Sequence, residues 1–252
     1  HDVAWLRVQA HARSYARAYF GRFSLARYRR AARIIVDSYF SRDELVALSG
    51  IDPARIDVVY PGVADDFMRV QRRPDPEPFV LAVGTVEARK NLAVVIRALR
   101  GLAGVRLISV GPWTPYLREC EQVAQECGVR DRVRFAGYVS RSELLEMYAG
   151  AALATVPSTY EGFGYAAAQA LCTATPVLVA RAASLPEVVD ECASLLDPGD
   201  VEAWSAAMHA ILCDPSSAAQ RATAARPSAV GRFSWEASAR ALITSYEAAL
   251  RS

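Results

Sequence analysis

The chain has 252 residues, 52% hydrophobic and 22% charged, with a formal net charge of +2. That length suits one or two domains with a sizeable core, and the composition excludes a disordered chain. The apolar runs are far too short to span a membrane. Five cysteines without a C-x-x-C pair and only three histidines exclude a disulfide framework and a zinc site, so a reducing, cytoplasmic setting is expected.

The chain starts at His1, in mid-pattern, and reads as lacking its N-terminus. Residues 4–32 read as one or two Arg-rich helices broken near Gly21. Residues 33–36 read as a short buried strand. Ser41 and Glu44 form a capping box that opens a helix stopping at Gly50. Residues 56–60 form another strand, followed by Pro61 and Gly62. The stretch 71–78 holds three prolines and no apolar residue, and is the expected domain boundary. After it, strands and helices alternate. Strand 79–83 leads to a helix from Asn91, and strand 105–110 to a helix ending near Gly128. Strand 133–135 leads to a helix capped by Ser140 and Glu143. Strand 151–156 leads to a helix from about Phe163, and strand 177–180 to a short helix at 185–190. A strand at 193–196 follows, and two or three helices close the chain. In the last of these, Trp235, Leu242, Ile243, Tyr246 and Leu250 recur at helical spacing and read as a packing face. Buried strands alternating with helices predict an α/β fold, a Rossmann-like doubly wound parallel sheet. Ligands of such sheets lie beyond the carboxyl ends of the strands.

Two loops at that end carry chemistry. The first reads Gly84-Thr85-Val86-Glu87-Ala88-Arg89-Lys90-Asn91. Of the 29 basic residues in the chain, only Lys90 is lysine. Arg89 and Lys90 stand where a helix N-terminus adds positive charge, and together suit a diphosphate: Arg grips bidentately and Lys acts as a point charge. Two solvated surface cations are the plain alternative. The second loop reads Pro157-Ser158-Thr159-Tyr160-Glu161-Gly162-Phe163-Gly164-Tyr165. Its glycines let backbone N–H groups approach a ligand, and Glu161 can accept hydrogen bonds from hydroxyls. A helix start with an acidic N-cap residue is the plain alternative there. Together the loops suit a nucleotide diphosphate-sugar. No G-x-G-x-x-G, Walker loop or G-x-S-x-G occurs, and no metal is required, since Arg89 and Lys90 can neutralise a leaving diphosphate.

These segments, with Phe135-Ala136-Gly137-Tyr138-Val139, Thr175-Pro176-Val177, Ser184-Leu185-Pro186-Glu187-Val188 and Asp197-Pro198-Gly199-Asp200, occur in a familiar order. The chain resembles the retaining nucleotide-sugar glycosyltransferases of family four, of GT-B fold, in their bacterial mannosyltransferase-like branch. The resemblance covers nearly the whole chain. It implies a partial acceptor-side domain over 1–74, a donor domain over 75–230, and a terminal helix over 231–252 that crosses back. It implies that Arg89 and Lys90 hold the departing diphosphate, that Glu161 holds sugar hydroxyls, and that His1 reaches the donor. Gly84, Thr85, Gly162, Phe163, Gly164 and Tyr165 would line the donor site, and Val139 would contact the base. Gln169 stands where the family carries a second glutamate for the ribose, and loses one charge-assisted bond there. Ala166 and Ala174 replace a usual Pro and Gly. The implied activity is polysaccharide-type hexosyl transfer with retention, to a glycan or lipid-linked acceptor. GDP-mannose is the favoured donor, a UDP-sugar the second candidate, and no cofactor is implied. The other reading is a degenerate, non-catalytic nucleotide-sugar-binding module.

Residues 1–33 carry eight arginines against one acid, Asp2, interleaved with aromatics. Three readings compete: a helix with solvated arginines and core aromatics, a peripheral contact with anionic lipid at the inner face of the plasma membrane, and nucleic-acid binding. Nothing else in the sequence supports the last.

Overall fold

A computed structural model describes residues 26–251. Most of the expected Arg-rich helical stretch lies outside those residues; 26–30 are helical. A small unit comes first. Strand β1 (Ile34–Val36) pairs in parallel with β2 (Ile56–Val58), and helix α1 (Tyr39–Ser49) joins them. Its core is Ile34, Val36, Leu45, Ile51 and Ile56. Gly50 ends α1 as expected, left-handed at φ 65°, with its N–H on Val46 O. The start differs from expectation. Ser38, not Ser41, is the N-cap, and its hydroxyl accepts from Ser41 N at 2.9 Å. Two serines three residues apart compete for one role, and Ser38 gains a tertiary partner that local sequence does not reveal.

The chain then enters a larger core. Val63 N donates to Phe233 O at 2.7 Å. Phe67, in α2 (Asp65–Met68), lies edge-on to Tyr148 with ring centroids 5.7 Å apart. Both Val63 and Phe67 are buried in the larger core, upstream of the proline-rich stretch 71–78.

That core surrounds a six-stranded sheet. Strands β3 (Phe79–Val83), β4 (Arg106–Val110), β5 (Val133–Gly137), β6 (Leu153–Val156), β7 (Val177–Ala180) and β8 (Ser194–Leu196) all run parallel. Their order is β5-β4-β3-β6-β7-β8. Every residue of β6 and β7 is buried, which requires cover on both faces. Helices α3 (Leu92–Ala98) and α4 (Leu117–Glu126) supply part of it, and α5 (Arg141–Gly150) leads back to β6. Then come α6 (Tyr165–Cys172), α7 (Leu185–Val189), α8 (Val201–Cys213) and α9 (Pro215–Phe233). Helix α3 packs with α4 and α8, and α6 with α7 and α9. The capping box at Ser140 and Glu143 opens α5 as expected. Leu81, Ile96, Leu107 and Leu153 are fully buried, each worth roughly 1.5–3 kcal/mol of transfer free energy.

Arg72 fastens the proline-rich stretch. Its guanidinium donates to Tyr148 O, Ala149 O and Ala151 O at the end of α5. Burial lowers its pKa to about 10. A cation at a helix C-terminus meets both the unpaired carbonyls and the helix dipole.

The last helix, α10 (Trp235–Arg251), touches the small unit. Ser238 Oγ donates to Tyr60 O and Ser245 Oγ to Asp57 Oδ2, each at 2.5 Å. The apolar stripe expected as a packing face is not one among the described residues. Trp235, Ile243, Tyr246 and Leu250 are exposed, Leu250 by 89%. Periodicity shows which side chains share a face, and here the covered face is the serine one.

The chain passes outward from β3 through β4 to β5, then returns to lay β6 on the other side of β3. Loops after β3 and β6 therefore part in opposite directions. Such a switch point opens a crevice at the carboxyl ends of the two strands.

Candidate active site

Both loops singled out in the sequence leave strands at this switch point. The first leaves β3 at Gly84, whose N–H donates to Val110 O at 2.8 Å. The next loop presses closely against it: a Cβ on Gly111 would stand 2.2 Å from Gly84 O, at a φ of +139° that only glycine adopts freely. A 3₁₀ turn over Ala88–Lys90 then sets Arg89 and Lys90 ahead of α3. Asn91 follows in the left-handed region at φ 51°. Its side-chain amide donates to Pro157 O at 3.2 Å and Pro198 O at 2.7 Å. Thr159 N donates to Arg89 O at 2.8 Å. These bonds lace the first loop to the second.

Glu161 is the focus of the second loop. Lys90 Nζ lies 2.5 Å from Glu161 Oε1, and Arg89 Nη1 lies 3.2 Å from Glu161 Oε2. Ser158 Oγ donates to Oε1 at 2.7 Å. The residue is only 6% exposed, so its charge needs these partners. Arg89 also donates to Tyr160 O at 3.1 Å and pairs with Glu87 Oε1 at 2.7 Å. Two cations and two carboxylates thus stand in balance.

Gly164 begins α6 in the left-handed region at φ 92°, and a Cβ there would meet Leu185 Cδ2 at 2.6 Å. The helix start follows Glu161 closely because this residue can make that turn. Tyr165 OH donates to Gly62 O at 2.9 Å. Gln169 lies one turn into α6, 7% exposed, with Oε1 3.1 Å from the Tyr148 hydroxyl. Burial raises the Tyr148 hydroxyl pKa far above the usual tyrosine range, so it remains a donor.

A cleft of about 450 Å³ is lined by Gly84, Arg89, Lys90, residues 161–166 and Gln169. The structure thus brings together nine of the sequence-designated positions: Gly84, Arg89, Lys90, Glu161, Gly162, Phe163, Gly164, Tyr165 and Gln169. Thr85 lines a neighbouring cavity of about 20 Å³, room for one water, with Thr155 and Ser158. Val139 follows β5 at the sheet's outer edge, half-buried against the core, and does not line the cleft. His1 lies outside the described residues. The cleft also takes Asp37 and Pro61 from the small unit. Sequence reasoning missed both. Asp37's signal was its place directly after β1, at the carboxyl end of a parallel strand. Among the described residues, no group of three or more His, Cys, Asp or Glu is arranged to hold a metal. No described helix is long and apolar enough to cross a membrane.

A 3-2-1-4-5-6 parallel sheet with cations and a carboxylate at its switch point defines a Rossmann-like ligand-binding domain. Residues 63–227 match the family described as glycosyl transferases group 1, and residues 1–67 match glycosyltransferase family 4. The chain belongs to this glycosyl transferase family. It is 35% identical over 237 residues to a D-inositol 3-phosphate glycosyltransferase of Mycobacterium marinum, covering 87% of this chain and 51% of that protein. The corresponding protein of Mycolicibacterium smegmatis is 34% identical over 235 residues, with 87% and 54% covered. The chain therefore spans about half the length of these relatives. Among solved structures, sucrose-phosphate synthase from Thermosynechococcus elongatus superposes with a TM-score of 0.84 at 25% identity, covering 98% of this chain and 66% of that one. Anabaena Alr3699/HepE, in complex with UDP and glucose, has a TM-score of 0.80 at 21% identity, covering 90% and 66%. This second likeness concerns the fold alone.

Proposed function

We propose that the protein transfers a hexose from a nucleotide diphosphate-sugar to a glycan or lipid-linked acceptor, with retention of configuration. The observation that carries this reading is Glu161 held against Arg89 and Lys90 in a cleft at the sheet's switch point. The diphosphate lies against Arg89, Lys90 and the start of α6, where the helix dipole adds to the two cations. Glu161 accepts hydrogen bonds from the sugar hydroxyls. Gln169 faces the ribose, and the base extends beyond the cleft towards Val139. His1 meets the donor from the acceptor side. As the bond from the sugar's anomeric carbon to the diphosphate oxygen breaks, an acceptor oxygen bonds to that carbon on the same face. Its proton passes to the departing diphosphate. The protein contributes positioning and charge stabilisation, and no metal is required where Arg89 and Lys90 neutralise the leaving diphosphate.

Residues 75–230 act as the donor domain in this reading. Residues 1–74 are part of the acceptor-side domain, with Val63 and Phe67 already in the donor-side core, and residues 231–252 cross back. The preference for GDP-mannose implied by the family resemblance finds no support in the comparisons. The relatives' name points to a phosphorylated polyol acceptor, and UDP occupies a fold neighbour. Contact of the Arg-rich segment with the inner face of an anionic membrane rests on charge alone. Within it, Arg33 is already paired with Asp57, and Arg29 donates to Ser49 O at 3.2 Å.

Calorimetric titration with UDP, GDP, ADP and CDP tests the donor site, with Lys90→Ala as control. One nucleotide should bind selectively, and Lys90→Ala should weaken it by about tenfold or more. Binding that Lys90→Ala leaves unchanged would remove the diphosphate from this cleft.

A further inference from the structure

Two successive carbonyls of the Glu161 loop are each held by serine hydroxyls. Ser184 Oγ donates to Glu161 O at 3.0 Å. Ser38 Oγ and Ser41 Oγ both donate to Gly162 O, at 2.5 and 3.0 Å. All three serines are almost completely buried. Two donors saturate the lone pairs of Gly162 O, so this peptide unit has no freedom to flip.

A trans peptide is planar, so the N–H of each residue points opposite to the preceding carbonyl. Holding Glu161 O aims the Gly162 N–H away from Ser184. Holding Gly162 O aims the Phe163 N–H away from Ser38 and Ser41. Both residues line the cleft, and neither N–H has an acceptor among the described residues. Two oriented, unspent donors beside two cations form a seat for an anion.

Two of the three hydroxyls come from α1, in the small unit. The carboxylate of Glu187, on α7, keeps that helix in place: its oxygens accept from Tyr39 N and Phe40 N, each at 2.9 Å. We infer that Ser38, Ser41 and Ser184 are positioning residues, a hydroxyl clamp that aims the Gly162 and Phe163 N–H groups at the donor's diphosphate. The clamp closes only when α1 is docked on the Glu161 loop. The anion seat of one unit is therefore completed by the other. This inference rests on the donor reading above.

Ser41→Ala on the full chain is the informative variant. Ser41 Oγ bonds Gly162 O and takes no part in capping, whereas Ser38 Oγ also caps α1. The probes are inorganic pyrophosphate, UDP and GDP, titrated calorimetrically, with the thermal midpoint measured alongside. Ser41→Ala should weaken pyrophosphate and the preferred nucleotide by about fivefold, with no more than the small drop in thermal midpoint that one lost buried hydrogen bond brings. Ser184→Ala should act in the same direction from the larger unit, and Ser41→Thr, which keeps the hydroxyl, should restore binding. If both alanine variants bind as the wild type does while Lys90→Ala fails, the clamp is wrong and the donor reading stands. A loss that Ser41→Thr does not rescue, accompanied by a lower thermal midpoint, marks a merely structural role and also overturns the clamp. Absence of binding by the wild type to all three probes overturns both readings.

Discussion

Glu161 already has three donors around it: Lys90, Arg89 and Ser158. A diphosphate entering the cleft competes for the cations but need not strip the carboxylate bare. Lys90 has three N–H donors, and the Ser158 hydroxyl, bonded to Glu161 Oε1 at 2.7 Å, is a donor independent of the two cations. The pairing was legible in the sequence only as two loops at one sheet edge; contact between Glu161 and both cations depends on the laced loops. Gln169 is the residue that departs from the resemblance. Its Oε1 sits 3.1 Å from the Tyr148 hydroxyl, a neutral donor held in place by burial. Gln169→Glu would keep that hydroxyl as its donor and offer a charge-assisted acceptor to a ribose. It should tighten nucleoside diphosphate binding about tenfold, read by titration. Unchanged affinity would mean that residue 169 does not meet the ribose.

At the scale of elements, the sequence located most strands and helices well, because buried parallel strands are short apolar runs. Strand 177–180 and the Ser140 box fell where expected. The start of α1 did not. Ser41 with Glu44 was the better local signal, yet Ser38 caps the helix because its hydroxyl also reaches Gly162 O, 124 residues away. Among the described residues, the covered face of α10 differs from the one its periodicity marks, for a related reason. Its contacts run through Ser238 and Ser245, which no hydrophobic pattern marks. Ser245 meets Asp57, whose carboxyl is held below its ordinary value of 3.8, chiefly by the Arg33 hydrogen bond. A depressed group contributes stability that is full above its ordinary value and lost as pH falls towards the depressed one. Asp57→Asn should therefore lower the thermal midpoint at neutral pH. The gap to wild type should narrow once pH drops below 3.8. A gap that stays constant across that window would show that the Arg33 and Ser245 contacts do not depend on the charge of Asp57.

Across the whole molecule, the two cores differ greatly in size. The small unit rests on Ile34, Val36, Leu45, Ile51 and Ile56, whereas the larger core encloses an entire six-stranded sheet. Opening free energy follows local burial, so the β1–β2 pair should exchange its amide hydrogens well before β3, β4, β6 and β7. Equal protection, read by hydrogen exchange, would show instead that the two units open as one. The division itself was only partly legible. A run of prolines suggested a boundary at 71–78, but Arg72 reaches back to three carbonyls near the end of α5, and no composition rule predicts that. The rarity of lysine was legible from the start, and the structure gives it a use. Lys90 is the chain's single lysine, and its amine stands against Glu161. Among these 252 residues, side-chain amine chemistry has one target. Reductive methylation with isotopically labelled formaldehyde would install, besides any label on an α-amine, one side-chain spectroscopic reporter at Lys90, at the point where a bound anion would be felt.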